Sequence, residues 1–475
     1  MKKEVIILIL AFVIFGCNQF LEEETFSQLT PENAFDSPEG AQKALNGAYA
    51  MLQDGFDRKW SAGLGVLGTD EATSYNDIYT DHEVQLDKYS YSSEYDIFQA
   101  VYTDLFEGVK RCNVVIEQLP ESLSAREVMI GQAKFLRGVY YFELVNLFGK
   151  VPLWLTSSAD KDHLELPQSP VDEIYNQIVI DLTEAELVLP SKAVYDEGKA
   201  TQYAAQAMLA RVYLQMLDYE NALKYCNKVI DSGEFGLYSD YAKIFDPEHK
   251  NEGVENIFEI QHRISYLSEN EGSTINDFYL PIELQGTSLT GWSMYGPSEY
   301  LYNSYDPDDK RFEVTFITTG TNSAGQTVNF KPHCFKYHNR LAGIPVNDGE
   351  QNFPLIRYAD ILLMKAEAIN ELTPGNSDKF QCINEIRERA GIDLITSEGI
   401  NSTKEGFLKT LLEERMHEFC FEKMRKRDLI RTGKLQEYVS ERKPERPVPA
   451  KAMYYYPLPL SAIDANPLLI QLEGY

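Results

Sequence analysis

Basic residues are scarce in this sequence. Lys and Arg number 44 against 73 Asp and Glu, a formal net charge of −29 over 475 residues. A surface of that sign repels phosphate backbones, which excludes nucleic acid as a partner, and disfavours broad contact with anionic lipid. Long apolar runs are missing too: beyond the N-terminal run no window holds about 18 continuous apolar residues, the least that spans a bilayer. Cysteine occurs six times, at 17, 112, 226, 334, 382 and 420. If Cys17 is set aside for the reason given below, the remainder is odd and widely spaced, which argues against a disulfide framework. Cys226, Cys382 and Cys420 lie in apolar, helical contexts and read as small buried hydrophobes. Catalytic signatures are absent. The seven His form no HExxH, with His417-Glu418 standing alone, and no GxGxxG, P-loop or Gly-x-Ser-x-Gly calls for a cofactor. A glycosidase needs two carboxylates at a set separation, and so acidic a chain contains such pairs by chance. Lys331-Pro332-His333-Cys334 with His338 is at most the outline of a metal pair. Tyr305-Asp306-Pro307-Asp308-Asp309 lacks the Ca-loop pattern and reads as an exposed cap before a strand.

Aromatics, by contrast, are plentiful: 30 Tyr, 24 Phe and 3 Trp. Disordered acidic chains lack them, and Tyr suits sites that are half wet. The first residues have their own chemistry. Lys2 and Lys3 precede an apolar run from Val5 to Phe15, then Gly16 and Cys17. A positive start, a short apolar run and a small residue predict a secretory signal over 1–16. The pattern is similar to a bacterial lipoprotein signal, in which lipid is added to the sulfur of the Cys. More than one acyl chain is needed for stable anchoring, so a triacylated Cys17 would hold the chain at a membrane. Residues 17–30, polar and acidic through Glu22–Glu24, would form the tether.

The mature chain reads as helices with long inserts. Ser37 and Pro38 predict a helix start, followed by Ala41, Leu45, Ala48 and Leu52 at helical spacing. Periodicity fades from Asp54 to Asp96 and returns from Ile97 to Gln118. Leu136, Val139, Tyr140, Leu144 and Leu147 mark a long helix ended by Gly149 and Pro152, and another follows Ser169-Pro170. Residues 203–231 fit one tetratricopeptide repeat, with Ala210 and Tyr213 on its first helix and Ala222 and Cys226 on its second. A degenerate second unit lies at 362–391. Residues 232–353 lose helical periodicity, with strand-like pieces at Asn256–Ile260, Phe312–Ile317 and Val328–Phe335. Leu408, Leu411, Leu412, Arg415 and Phe419 then predict a long helix continuing through EFCFEKMRKRDLIRTG to Gly433, with Glu422 and Lys426 as an i,i+4 pair. The Pro- and Tyr-rich tail is expected to run extended across the helices.

These pieces, in this order, resemble the SusD/RagB family. The resemblance rests on Cys17, the helix around Ala41–Tyr49, Arg111-Cys112-Asn113 and AKFLRGVYYFELVNLFGKVPL within 131–153. It extends to the repeat at 203–231, DKRF at Asp309–Phe312 and PLIRYADILLMKAEAINE at 354–371. ERMHEFCFEKMRKRDLIRTG at 414–433 and YYPLPLSAIDANPLL at 455–469 complete it. In the late helix, Met424, Arg425 and Lys426 stand where small residues and a Trp are usual. The resemblance implies a mainly α fold, a tetratricopeptide-like α–α superhelix with long loop-rich inserts and few short strands. Its parts would be a helical region at 31–231, a loop-rich ligand-binding insert at 232–353 and a C-terminal helical region at 354–475. It further implies a non-enzymatic lipoprotein of the outer membrane, facing outward. Such a protein binds oligosaccharide or a similar large nutrient for a SusC-like TonB-dependent transporter. A repeat scaffold that binds only protein is the alternative; glycan binding separates the two.

A sugar has apolar CH faces and many hydroxyls, and is held by aromatic platforms with Asp, Asn and Arg partners. Two stretches have that mix, 69–96 and 278–306, and in the family the site is built from loops of roughly these regions. Tyr75, Asn76, Asp77 and Tyr79 are candidates from the first; Trp292, Tyr295 and Tyr300 are candidates from the second. Trp292, between Gly291 and Ser293, is the foremost platform, although loop aromatics often serve only to pin loops. Trp60 and Trp154 read as structural.

Overall fold

Apolar residues at helical spacing produce a stack of antiparallel helices in the computed structural model. It describes residues 34–56, 61–75, 81–157, 165–192, 198–264, 271–338 and 348–475. The signal stretch, Cys17 and its tether lie outside these residues, as do Trp60, Asn76, Asp77 and Tyr79. The first helix, Pro38–Phe56, begins as expected: the Ser37 hydroxyl accepts the Gly40 N–H at 3.0 Å. It packs on Asp96–Gln118, which packs on Arg126–Phe148, then Val171–Val188, Gln202–Gln215 and Tyr219–Asp231 in turn. Small residues set the closeness of these layers. Gly108 meets the ring of Tyr140, whose hydroxyl reaches across to donate to the Ala48 carbonyl at 2.6 Å.

The hairpin at 203–231 forms as the repeat pattern requires. Thr201 caps its first helix and Asp218 its second, through Ala204 N–H (3.2 Å) and Asn221 N–H (3.1 Å). The degenerate unit also forms, as Tyr358–Leu372 and Asp378–Ala390. Its first helix docks directly on Tyr219–Asp231. The chain thus leaves the stack at Asp231 and rejoins it at Tyr358. The base of this excursion is closed by an antiparallel pair, β2 (Asn256–Ile260) with β6 (Phe353–Arg357).

Two further two-stranded pairs occur among the described residues. β1 (Ala72–Ser74) joins β3 (Tyr295–Pro297), and β4 (Phe316–Thr321) joins β5 (Thr327–Cys334). The expected strand at Phe312–Ile317 is therefore misplaced. Arg311–Thr315 is one helical turn, started where the Asp309 carboxylate accepts the Arg311 N–H at 2.9 Å, and the strand begins only at Phe316. Asp309 itself is buried and holds Arg311 rather than forming an exposed cap. Within 54–96, where no element was expected, lie β1 and the helix Asp81–Lys88.

The late helix is not continuous. Lys404–Phe419 stops, the chain kinks through Phe421 (φ 63°) and Lys423 (φ 61°), and Arg425–Arg431 starts anew. The kink lets Phe421 N–H donate to the Glu71 carboxylate at 2.9 Å. It also removes the expected Glu422–Lys426 pair. Glu422 instead accepts from Lys336 (2.9 Å) and Arg357 (2.8 Å), while the Lys426 ammonium lies 3.6 Å from the centre of the Tyr456 ring with no hydrogen-bond partner among the described residues. The tail crosses the N-terminal helices as expected, Tyr456 N–H donating to the Leu147 carbonyl at 2.7 Å, with one short helix at Leu460–Ala465. Cys112, Cys226, Cys334, Cys382 and Cys420 are all buried and unbridged.

Candidate functional site

The two Tyr-rich stretches meet. β1 pairs with β3 in the register Ala72↔Pro297, Thr73↔Gly296, Ser74↔Tyr295, and Tyr75 N–H continues the ladder to the Met294 carbonyl at 3.1 Å. Segments more than two hundred residues apart thus form one platform.

Tyr75 and Tyr295 are interior to it, 8% and 1% exposed. The Tyr75 hydroxyl donates to the Pro332 carbonyl on β5, and its ring meets His333 edge-on at 5.1 Å. Tyr295 packs edge-on against Tyr279 at 5.2 Å. Both rings are packed into the body rather than presented on an open surface. Tyr300, half-buried, turns toward the C-terminal helices: its hydroxyl donates to Glu413 at 3.0 Å and the Arg442 guanidinium lies 4.4 Å over its ring.

Trp292 also keeps part of its surface exposed. Its position is set by two backbone constraints. Gly291 passes so near the Leu280 carbonyl that a Cβ there would lie 2.4 Å from the oxygen. Ser293 adopts a left-handed conformation (φ 50°), which is costly for a non-glycine residue. Its hydroxyl accepts the Ile282 N–H at 2.8 Å and pairs with His333 Nε2 at 3.0 Å. Burial pushes the His333 pKa down to about 4, so the ring stays neutral and can share this hydroxyl. Trp292 itself donates its backbone N–H to the Asp277 carbonyl at 2.6 Å and meets Phe278 edge-on at 5.4 Å.

The outlined metal pair does not assemble. His333 Nδ1 bonds the Lys331 carbonyl, His338 Nδ1 bonds the Phe335 carbonyl, and no metal-ligand cluster occurs among the described residues.

Beneath the platform lies a feature that sequence reasoning missed, a lattice of buried ion pairs. Arg311 contacts Asp309 (2.7 Å), Glu414 (2.7 Å) and Glu418 (3.0 Å). Arg357 contacts Glu255 (2.7 Å), Glu418 (2.8 Å) and Glu422 (2.8 Å). Burial opposes the charge on Arg357, but Glu422, Glu418 and Glu255 outweigh it and hold its pKa well above the ordinary value. Asp70, just before β1, takes Arg425 and Arg442, each at 2.7 Å; despite burial these two cations hold its carboxyl below the ordinary value. Asp87 takes Lys443 (2.6 Å) and Arg446 (2.7 Å) and accepts from Ser74 N–H on β1. The lattice thereby bolts the loop platform to the C-terminal helices. Its signal in the sequence was charge embedded in apolar runs, as in DKRF, PLIRYAD and ERMHEF.

A superhelix of tetratricopeptide-like hairpins carrying a loop-built platform defines a helical binding scaffold. Two family models match this chain: "SusD family" over residues 316–475 and "Starch-binding associating with outer membrane" over residues 19–214. SusD-like protein P2 of Formosa agariphila is 27% identical over 461 residues, covering 90% of each chain. A solved SusD superfamily protein from Parabacteroides distasonis superposes with a TM-score of 0.80 at 25% identity, covering 92% of this chain and 99% of its own. Surface glycan-binding protein A from Bacteroides thetaiotaomicron, solved in complex with laminarihexaose, has a TM-score of 0.78 at 23% identity, covering 92% and 99%. The chain belongs to the SusD/RagB family.

Proposed function

We propose that this protein is a non-catalytic lipoprotein of the outer membrane, anchored through Cys17. In this reading it binds oligosaccharide and delivers it to a SusC-like TonB-dependent transporter. Family membership supports the ligand class, and glycan binding by a relative of the same fold agrees with it. No helix among the described residues is long and apolar enough to cross a membrane, so lipid at Cys17 is the anchor the reading requires. The observation that carries the site is Trp292, partly buried between a glycine without room for a side chain and a left-handed serine. Strained backbone persists where the surroundings over-determine it, and it clusters at ligand sites. Trp292 is the platform in this reading. Tyr300, Asn76, Asp77 and Tyr79 are the further ligand contacts this reading draws from the two Tyr-rich stretches, and the buried Tyr75 and Tyr295 are its packed supports. The insert at 232–353 carries the second half of the site.

The test is a glycan-array screen of the lipid-free protein, residues 18–475, with Trp292→Ala alongside. The expected result is binding to one glycan class, weakened in the variant. Binding unchanged in the variant removes Trp292 from the site. No glycan binding, together with failure to co-purify with a membrane barrel, would leave a protein-binding scaffold instead.

A further inference from the structure

A cleft lies away from the Trp292 platform. It measures about 610 Å³ and runs between the 96–118 helix, the 152–157 segment and the tail at 459–469. It shares no element with β1, β3 or the loop of Gly291. Its size falls within the ~300–1,000 Å³ typical of ligand sites.

Both walls are held rigidly. Trp154 is fixed by its backbone, its N–H donating to the Tyr141 hydroxyl (2.6 Å) and its carbonyl accepting from the same group (2.8 Å). Asn113 donates to the Trp154 and Thr156 carbonyls at 3.1 and 3.2 Å. Asn113 is oriented in turn by Arg137, which is locked to Asp181 by two bonds of 2.7 Å. Opposite, Leu460 N–H donates to the Ser93 carbonyl and Asn466 to the Leu166 carbonyl. Such a cleft is open before any guest arrives, which lowers the cost of binding.

The lining has a particular chemistry. Trp154, Phe106 and Tyr102 supply aromatic surface. Around them the side chains of Gln99, Thr103, Thr156 and Ser461 are uncharged, and they make no hydrogen bond among the described residues. The two charges, Glu107 and Lys110, pair with each other at 3.3 Å. On a chain of net charge −29 this is a neutral cleft of rings edged by hydroxyl and amide groups. Rings cover CH faces, and hydroxyls and amides both donate and accept.

We infer that this cleft is a second binding site for neutral oligosaccharide, with Trp154 as its platform. The inference rests on the glycan-binding reading above and adds a site to it. Trp154 would thus have a role beyond the structural one read from the sequence.

The experiment is isothermal titration of residues 18–475 with maltohexaose, laminarihexaose, cellohexaose, xylohexaose and mannohexaose. Four proteins are compared: the unaltered chain, Trp292→Ala, Thr103→Trp, which fills the cleft from an exposed helical position, and Trp154→Phe. Trp154→Phe is the milder variant and is expected to weaken the cleft site about tenfold. The expected result is two equivalents of one hexasaccharide for the unaltered chain and one for each of the first two variants. Binding abolished by Thr103→Trp and untouched by Trp292→Ala would make the cleft the sole site. Full stoichiometry in Thr103→Trp, or complete loss in Trp292→Ala, would overturn the cleft and leave the loop platform standing. No binding of any of the five by the unaltered chain would overturn both.

Discussion

The 126–148 helix buries Phe135, Leu136, Tyr140 and Leu144 among apolar neighbours, with Arg137–Asp181 as its one buried ion pair. The 404–419 helix buries Glu414, Arg415 and Glu418 with equal completeness, each paired. The first arrangement is held by area and close approach, which tolerates small shifts. The second adds directional bonds to the packing of Phe407, Leu411, Leu412 and Phe419; these bonds fix a register but gain little net stability once desolvation is counted. The difference follows from the task of each region. Helices stacked in sequence need only complementary faces. Loops that leave the stack at Asp231 and return at Tyr358 bury Phe258, Phe278, Tyr279 and Tyr295 in the same core, and directional pairs add the register that their short strands do not fix.

The comparison breaks most severely at Arg357. Arg357→Met would leave Glu255, Glu418 and Glu422 facing one another in the interior. The expected loss is about 3–5 kcal/mol, read by urea unfolding, and adding Glu418→Gln should recover part of it. A loss below about 1 kcal/mol would mean that the lattice does not hold the insert.

A smaller effect is expected in the helical stack. At Gly108 a Cβ would sit 2.7 Å from the ring of Tyr140, which cannot slide because its hydroxyl is bound to Ala48. Gly108→Ala should cost about 1–3 kcal/mol by overpacking, offset by up to about 1 kcal/mol of helix propensity. Gly47→Ala is its control. There the nearest atom is the Arg111 guanidinium at 3.8 Å, so propensity alone should act and the variant should be slightly more stable. Thermal unfolding of both variants checks the contrast in sign.

That contrast also governs what the sequence reveals. Helices held by apolar faces announce themselves by spacing, so Pro38–Phe56, Asp96–Gln118 and the hairpin at 203–231 were legible. Asp81–Lys88 was not, because DHEVQLDK has only Val84 and Leu86 to show a period. Nor was the break at Phe421, where neither Gly nor Pro stands and the kink is imposed by Glu71, some 350 residues away. The two halves of the loop platform could be recognised by their Tyr-rich composition, but their register could not, since β1 and β3 have three residues each. Composition also could not tell which rings face inward: Tyr75 and Tyr295 differ from Trp292 only in the atoms packed over them.

The smallest effects come from two buried groups, one on each side, whose pH dependences have opposite sign. Lys426, on the C-terminal side, is buried over Tyr456, and burial pushes its pKa down to about 7 from 10.5. Between those values the unfolded chain holds the proton and the folded chain does not, so stability rises with pH across this window. Glu83, beside the platform, is 2% exposed with one carboxylate oxygen unpartnered among the described residues, and burial pushes its pKa up to about 7 from 4.5. Here the folded chain holds the extra proton, so stability falls as pH rises from 4.5 to 7. Each group contributes at most about 1.4 kcal/mol per pH unit within its window. Lys426→Met should flatten the slope of melting temperature above pH 7 and leave the acid side unchanged. Glu83→Gln should flatten the acid side and leave the alkaline slope. If both variants moved the same limb, the two regions would share one cooperative electrostatic core, and the division between a packed stack and a bolted insert would fail.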